Sequence, residues 1–397
     1  MNPSLMYLAY IGIILFLGII TTIISKKIKI PNVLLLMLLG IGLGNITYKG
    51  GPLISFPDVF TLSIGVLALV LIVFDSTSRF KLREFDEESM DAIKLTAVFL
   101  IMCLVVLSIF TFLLYDVPIL IAILFAAVIA GTAPSVVLLL MPETKNRIIQ
   151  LLEVESIINT PLIVIIPFLI IEFLNTGMAK ADISSRFLEQ VLPFLQQIVV
   201  GIGAGILIGI IIFKFMRKQY SELISPLALI VAALLTYVLA EALDGSGVLA
   251  VTTLGLFFGS VYVKQKSQMQ EFSSFFSYAL EILVFILIGL IIEIPLTLEF
   301  FGLSIALFII YLLIRYFAVS LVFGKKYKLR PKLFMTFNAP KGIAIAAVVF
   351  MLTTFQASMP EIGKITDLIL VFMLYSVIFS SLVARFSKYF IHKEIIK

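Results

Sequence analysis

Few ionisable side chains fall well inside the apolar runs of this chain, and Asp75, Glu155, Arg315 and Lys341 are the main ones. A charge left unpaired at a bilayer centre costs at least about 2.5–3.5 kcal/mol, so each of the four needs a partner or a task. Glu155 opens a polar face in VESIINTPLIVII, residues 154–166, with Asn159 one helical turn on and Ser156 and Thr160 on the adjacent row. Proline has no N–H and frees the carbonyl four residues back, so Pro161 frees that of Ile157, Pro134 that of Ala130 and Pro340 that of Thr336. Carboxylate, hydroxyl, amide and freed carbonyl oxygens are the ligands a hard cation takes, here a monovalent one. The hydroxyls of Thr132, Ser156 and Thr160 are equally suited to bonding a carbonyl in the preceding turn. Lys341, between Pro340 and Gly342, can neutralise Glu155 and offset the dipoles of half-helices ending beside it, so a pair between Glu155 and Lys341 is expected to organise the site. Asp75, in LIVFDSTSRF, lies near the end of its run and reads either as a working carboxylate or as a solvated interfacial one. A partly buried carboxylate holds a proton or a cation in alternation, because burial favours its neutral form and a neighbouring cation its charged form. That is the chemistry of exchange. Arg315 reads as structural, with no partner evident.

The elements that position these groups follow from composition. Of 397 residues 61% are hydrophobic and 13% charged, and the mean hydropathy is +1.18, which excludes an ordinary water-soluble globule. A hydrocarbon core about 30 Å thick needs about 20 apolar residues per helix, and such runs recur throughout. Runs such as LAYIGIILFLGIITTII do not alternate, which excludes a β-barrel. The expected fold is an all-α polytopic membrane protein with thirteen spans, at 5–24, 31–47, 57–77, 91–114, 118–141, 149–174, 188–213, 221–241, 246–262, 274–293, 299–322, 332–354 and 365–389. With the N-terminus outside, 23 of the 29 Lys and Arg residues fall in inside loops, as the positive-inside rule requires of a multi-pass protein of the cell membrane with a cytoplasmic C-terminus. The net charge of +5 records this orientation and gives no reason to expect nucleic acid. The single cysteine, Cys103, and single histidine, His392, leave no disulfide, metal cluster, cofactor site or histidine relay to expect, and no His-based or Ser–His catalytic pairing points to an enzyme. The first span reads as a permanent helix and only a short tail follows the last, so no appended soluble domain is expected.

Thirteen spans divide into two sixes around a linker: a first repeat over 1–174, a linker helix over 188–213 and a second repeat over 221–389, forming one transporter domain. The linker carries Gly201, Gly205 and Gly209, a stripe that permits close helix packing. The fifth helix of each half is interrupted, by AGTAPSVV at residues 130–137 and by FNAPKGIA at residues 337–344. Breaks at matching places in two halves point to a transport site near the midplane. Ordinary proline kinks are the alternative.

These segments, in this order, resemble the monovalent cation/proton antiporters, within them the sodium/proton exchanger-like branch of thirteen helices. PNVLLLMLLGIGLG (31–44) resembles the family's second helix, LIVFDSTSRFKL (71–82) its "LF-acid-x-G-L" segment, AGTAP its "TDP" break and VESIINTP its "ESxxND" motif. GSGVLAVTTLG (245–255) is similar to its "SGxLAxxxxG" helix, EILVFILIGL (281–290) to its "FxxxG" helix and APKGIAIA (339–346) to its "GxRG" break. The resemblance implies a homodimer of inverted repeats, exchanging Na⁺ or K⁺ for H⁺ by alternating access, with a core around two crossed broken helices. It implies cation binding at Asp75, Thr132, Ser156 and Thr160, with Glu155, Asn159 and Lys341 as organisers beside Pro134 and Pro340. The chain departs from that pattern where the family's central Asp is Thr160, the Asp of "TDP" is Ala133 and the Arg of "GxRG" is Lys341. Three readings stay open: Asp75 takes over as the shared carboxylate, Glu155 does, or exchange is lost. A carrier for an anionic or neutral solute, or a membrane protein without coupled transport, are the other classes.

Overall fold

Apolar helices account for most of the described residues in the computed structural model, which describes residues 3–28, 30–48, 51–79, 87–133, 146–175, 183–218, 221, 224–261, 265–291, 295, 297–353, 355–356 and 359–391. Every expected span meets a helix. Helices α1 (Pro3–Ile28), α2 (Asn32–Gly44) and α3 (Asp58–Ser78) come first, with a ribbon of two two-residue strands, Thr47–Tyr48 against Gly51–Pro52, between the last two. Then α4 (Glu87–Met102) passes through a π-helical turn, Cys103–Leu107, into α5 (Ser108–Tyr115). The sequence contains no Pro or Gly there and did not announce the turn; Cys103, inside it, is fully buried, as a packing residue should be. After α6 (Ile119–Ile129) come α7 (Arg147–Asn175), α8 (Ile183–Lys218), α9 (Ile224–Ala242), α10 (Gly247–Ser260), α11 (Lys266–Ile291) and α12 (Leu298–Phe323). The chain closes with α13 (Leu329–Phe337), α14 (Ile343–Thr353), α15 (Glu361–Arg385) and α16 (Ser387–Ile391). Side chains set several starts: the Ser246 and Thr297 hydroxyls accept from the N–H groups of Leu249 and Phe300, at 3.3 and 3.2 Å.

Among the described residues, nine helices are long and apolar enough to cross a membrane and four more are apolar but shorter. Large apolar side chains along the outer faces of α1 and α8, such as Leu8, Phe16, Val199 and Ile211, are exposed, as lipid-facing residues would be. The chain is a polytopic membrane protein.

Two expected spans are indeed interrupted. The span expected over 118–141 is helical only to Ile129, and residues 131–133 are unwound; Pro134 and residues 135–137 of the first break lie outside the described residues. The span expected over 332–354 is two helices, α13 and α14, separated by the unwound residues 338–342. In contrast α7 runs unbroken through Pro161.

The helices group into two compact units that interleave the two sequence halves. One holds Met1–Gly65, Glu87–Asn159 and Glu281–Lys397; the other holds Val66–Asp86 and Thr160–Leu280. In the second unit α8 lies along α10, and the glycine stripe is the reason it can. A Cβ on Gly205 would lie 2.4 Å from the Ala250 carbonyl oxygen, and one on Gly201 2.8 Å from that of Ser246. The expected close packing is what the stripe provides.

Candidate functional site

The two breaks meet within the first unit. The Ala133 N–H, in the first, donates to the Pro340 carbonyl oxygen, in the second, at 2.8 Å. Contact is close enough that a Cβ on Gly342 would lie 2.4 Å from Ala133 Cβ, so glycine is required there by space; its φ is not in the left-handed region. The second break is held by its own side chains: Asn338 N–H and Nδ2 both donate to the Phe334 carbonyl, at 3.0 and 2.9 Å, and Ser380 Oγ donates to the Phe337 carbonyl at 3.0 Å.

Lys341 is buried at 1% exposure, and its ammonium donates to the carbonyls of Ile129 and Gly131 at 2.5 and 2.8 Å and to Tyr311 Oη at 2.6 Å. Three donors meet three acceptors. Two of these are carbonyls at the C-terminal end of α6, where the aligned peptide dipoles concentrate negative charge. The expected offset of a half-helix dipole by Lys341 is therefore present. Its backbone N–H donates to Ser376 Oγ at 3.0 Å, tying the break to α15.

The expected pair between Glu155 and Lys341 is not formed. Glu155 instead meets Arg315 of α12 in a two-pronged pair, with Nη1 to Oε1 at 2.5 Å and Nη2 to Oε2 at 2.6 Å; both residues are at most 1% exposed. The planar guanidinium matches both carboxylate oxygens at once, which an ammonium cannot do. Its other face lies 4.7 Å from the Phe99 ring centroid. Arg315 thus has a partner that its sequence neighbourhood did not disclose.

On the same helix as Glu155, Asn159 Nδ2 donates to Thr132 Oγ1 at 2.6 Å, which brings α7 to the first break. Thr132 and Asn159 are both buried. The amide oxygens of Asn159 and Asn338 have no hydrogen-bond partner among the described residues. Ser156, half-buried, and Thr160, buried, lie along α7 beside Asn159; Thr160 begins the second unit. Thr132, Glu155, Asn159, Pro340 and Lys341 are therefore brought into one unit around the breaks. Sequence reasoning missed Tyr311, Ser376 and Asn338 as parts of it. Tyr311 stands one helical turn before Arg315 in YLLIR, a spacing that could have marked it.

Asp75 belongs to the second unit, near the end of α3. Its Oδ1 accepts from Ser274 Oγ at 2.8 Å, and its Oδ2 is 3.5 Å from Arg79 Nε, one turn on. Its side chain is 17% exposed and that of Arg79 51%. Such a pair contributes about 0–1 kcal/mol, whereas removing one partner of a buried pair such as that of Glu155 costs about 3–5 kcal/mol. Among the described residues no three His, Cys, Asp or Glu side chains gather as a metal centre would need. The buried charged side chains described are one carboxylate, Glu155, and two cations, Arg315 and Lys341.

Comparison with known proteins agrees with this architecture. Residues 12–388 match the family described as sodium/hydrogen exchanger, transmembrane. The chain is 27% identical over 368 residues to Na⁺/H⁺ antiporter 1 of Methanocaldococcus jannaschii, covering 87% of this chain and 82% of that protein. It is 24% identical over 292 residues to the K⁺/H⁺ antiporter NhaP of Alkalimonas amylolytica, covering 71% of this chain and 49%, about half, of that longer protein. In structure it is similar to the sodium proton antiporter MjNhaP1 of Methanocaldococcus jannaschii, with a TM-score of 0.79 and 21% identity, over 98% of this chain and 99% of the other, a likeness of fold.

Proposed function

Since the chain belongs to the transmembrane sodium/hydrogen exchanger family, we propose that it exchanges a monovalent cation, Na⁺ or K⁺, for H⁺ by alternating access. The observation that carries this reading is the meeting of two unwound helix breaks, Ala133 to Pro340 at 2.8 Å, with buried side-chain oxygens around them. Unwound backbone inside a membrane protein is tolerated where it is buried in protein or lines a cavity, and it is there that transporters hold ions. Neutral oxygens lie in the same unit as the breaks: the Thr132 hydroxyl and the amide oxygens of Asn159 and Asn338, which have no hydrogen-bond partner among the described residues. Relatives named for Na⁺/H⁺ and for K⁺/H⁺ exchange support both ions alike.

In this reading Asp75 is the exchanging carboxylate and Glu155 a positioning residue. Both oxygens of Glu155 are taken by Arg315, so a cation would have to break a buried pair to reach it. Asp75 is partly open, and among the described residues a cation competes there with Ser274 and a weak pair. The N-terminus outside, a cytoplasmic C-terminus and a homodimer belong to the same proposal, resting on the Lys and Arg distribution and on the family.

A second reading is favoured by one specific observation. The buried charged side chains of the first unit are two cations, Arg315 and Lys341, and one carboxylate, Glu155, and in the sequence Thr160 and Ala133 stand where the family has acids. A site of that charge suits an anionic or neutral solute better than the family's acidic one.

Proteoliposomes carrying a pH gradient separate the two. Addition of Na⁺ or K⁺ should move protons in wild type, Asp75→Asn should abolish the movement in folded protein, and a correctly folded wild type that answers no cation would sink exchange in favour of the second reading.

A further inference from the structure

The segment joining α12 to α13 and the first turn of α13 carry Lys325, Lys326, Lys328, Arg330 and Lys332 within eight residues. All lie in the first unit, where α13 packs against α16, and α16 follows Arg385 at the end of α15. Two of these cations are engaged within the protein: Lys326 pairs with Asp91 of α4, and Lys332 Nζ donates to the Gly324 carbonyl at 2.5 Å. Lys325, Lys328, Arg330 and Arg385 are exposed. Set among them are three large apolar side chains that are also exposed, Leu329 at 58%, Phe386 at 64% and Tyr389 at 62%. The Arg330 guanidinium lies 4.3 Å from the Tyr389 ring centroid, which fixes its plane while leaving it at the surface.

Cations and large apolar groups exposed side by side suit neither bulk water nor hydrocarbon. The headgroup layer of a bilayer suits both, with rings and aliphatic chains at the depth of the glycerol and cations at the phosphates. We infer that this surface binds the phosphate headgroups of acidic phospholipids. Lys325 and Lys328 act as point charges, the stacked Arg330 offers a planar fork for phosphate oxygens, and Leu329, Phe386 and Tyr389 anchor in the interface. The surface begins the half-helix that runs into the second break, since α13 ends at Phe337, where unwinding starts. A headgroup held on its first turn therefore fixes the far end of the half-helix that leads into the break carrying Lys341. The binding does not depend on what the protein transports.

The test uses the full-length protein in nanodiscs of phosphatidylcholine containing a minor fraction of spin-labelled phosphatidylglycerol or phosphatidylcholine. Wild type is expected to hold phosphatidylglycerol several-fold over phosphatidylcholine, and 0.5 M NaCl should reduce the preference because exposed charges are screened within a few ångströms at that salt. Lys325→Gln/Lys328→Gln/Arg330→Gln should bring it close to parity, and Arg330→Lys, which keeps the charge and loses the stack, should fall between. Lys364→Gln, at the opposite end of α15, should change nothing. A wild type without preference, or a triple variant that keeps it, overturns the inference. So does equal loss in Lys364→Gln, which would make the effect one of net charge, and so does displacement by millimolar inorganic phosphate, which would assign the surface to a soluble anion. The salt response of wild type and the single variant decide the matter even if the triple variant does not fold.

Discussion

Arg315 and Lys341 are both cationic and both buried, yet they are neutralised in different ways. The guanidinium takes a carboxylate on two prongs, and the ammonium takes two carbonyls and a phenol. Each chemistry fits its donor geometry, a planar fork against a compact three-donor head. Removing one member of the Glu155 and Arg315 pair should leave a buried charge uncompensated, so Glu155→Gln and Arg315→Met are each expected to lower stability by about 3–5 kcal/mol. The double variant, which leaves no charge behind, should recover most of that loss. The chain has no tryptophan but one cysteine, Cys103, fully buried, so a thiol-reactive fluorophore reports melting directly. Additive losses in the double variant would mean that the pair is not a unit. At this scale the sequence disclosed residue types and their faces: Glu155 with Asn159, and Lys341 against a half-helix end. It did not disclose that Arg315, 160 residues away from Glu155, is its partner, because nothing in local spacing encodes a contact made by tertiary packing.

The helix breaks were readable because proline and glycine act locally, whatever packs around them. Their crossing has no such local signature and was implied only by the resemblance to the family; the space at Gly342 shows what holds it. A methyl group there would lie 2.4 Å from Ala133 Cβ but 3.9 Å from Ala133 Cα. Gly342→Ala should therefore push the breaks apart, weaken the bond from Ala133 N–H to Pro340 and lower both stability and transport. Ala133→Gly in the same chain removes the clashing atom and leaves an ordinary contact, so the double variant is expected to regain both. A melting temperature in Gly342→Ala equal to that of wild type, or no rescue by Ala133→Gly, would show that the crossing is looser than described. The π-helical turn at Cys103–Leu107 had no such local signature, and it emerged only from the packing of α4 and α5 against α6 and α12. Conversely Pro161, which frees the Ile157 carbonyl, is carried inside an unbroken α7, in keeping with the single span expected over 149–174, since a bundle can satisfy that carbonyl.

Across the whole molecule, hydropathy yields the number of helices and charge yields their direction, but neither says which helices pack together. That is why the spans were legible while the two units, each drawing segments from both halves of the sequence, were not. Orientation rests on an argument independent of the fold: 23 of 29 Lys and Arg residues fall on one side if the chain starts outside. Miscounting one span would scatter that bias, so the bias and the helix count support each other. The expectation can be checked from single cysteines placed in a Cys103→Ala background, at Lys364 in the first turn of α15 and at Lys325 between α12 and α13, both exposed. In intact cells a membrane-impermeant maleimide should label Lys364→Cys at once and Lys325→Cys only after permeabilisation. The reverse pattern would turn the molecule over. It would place the basic surface on the outside, where the leaflet charge that holds cytoplasmic Lys and Arg does not act, and so remove the physical reason for the observed charge distribution.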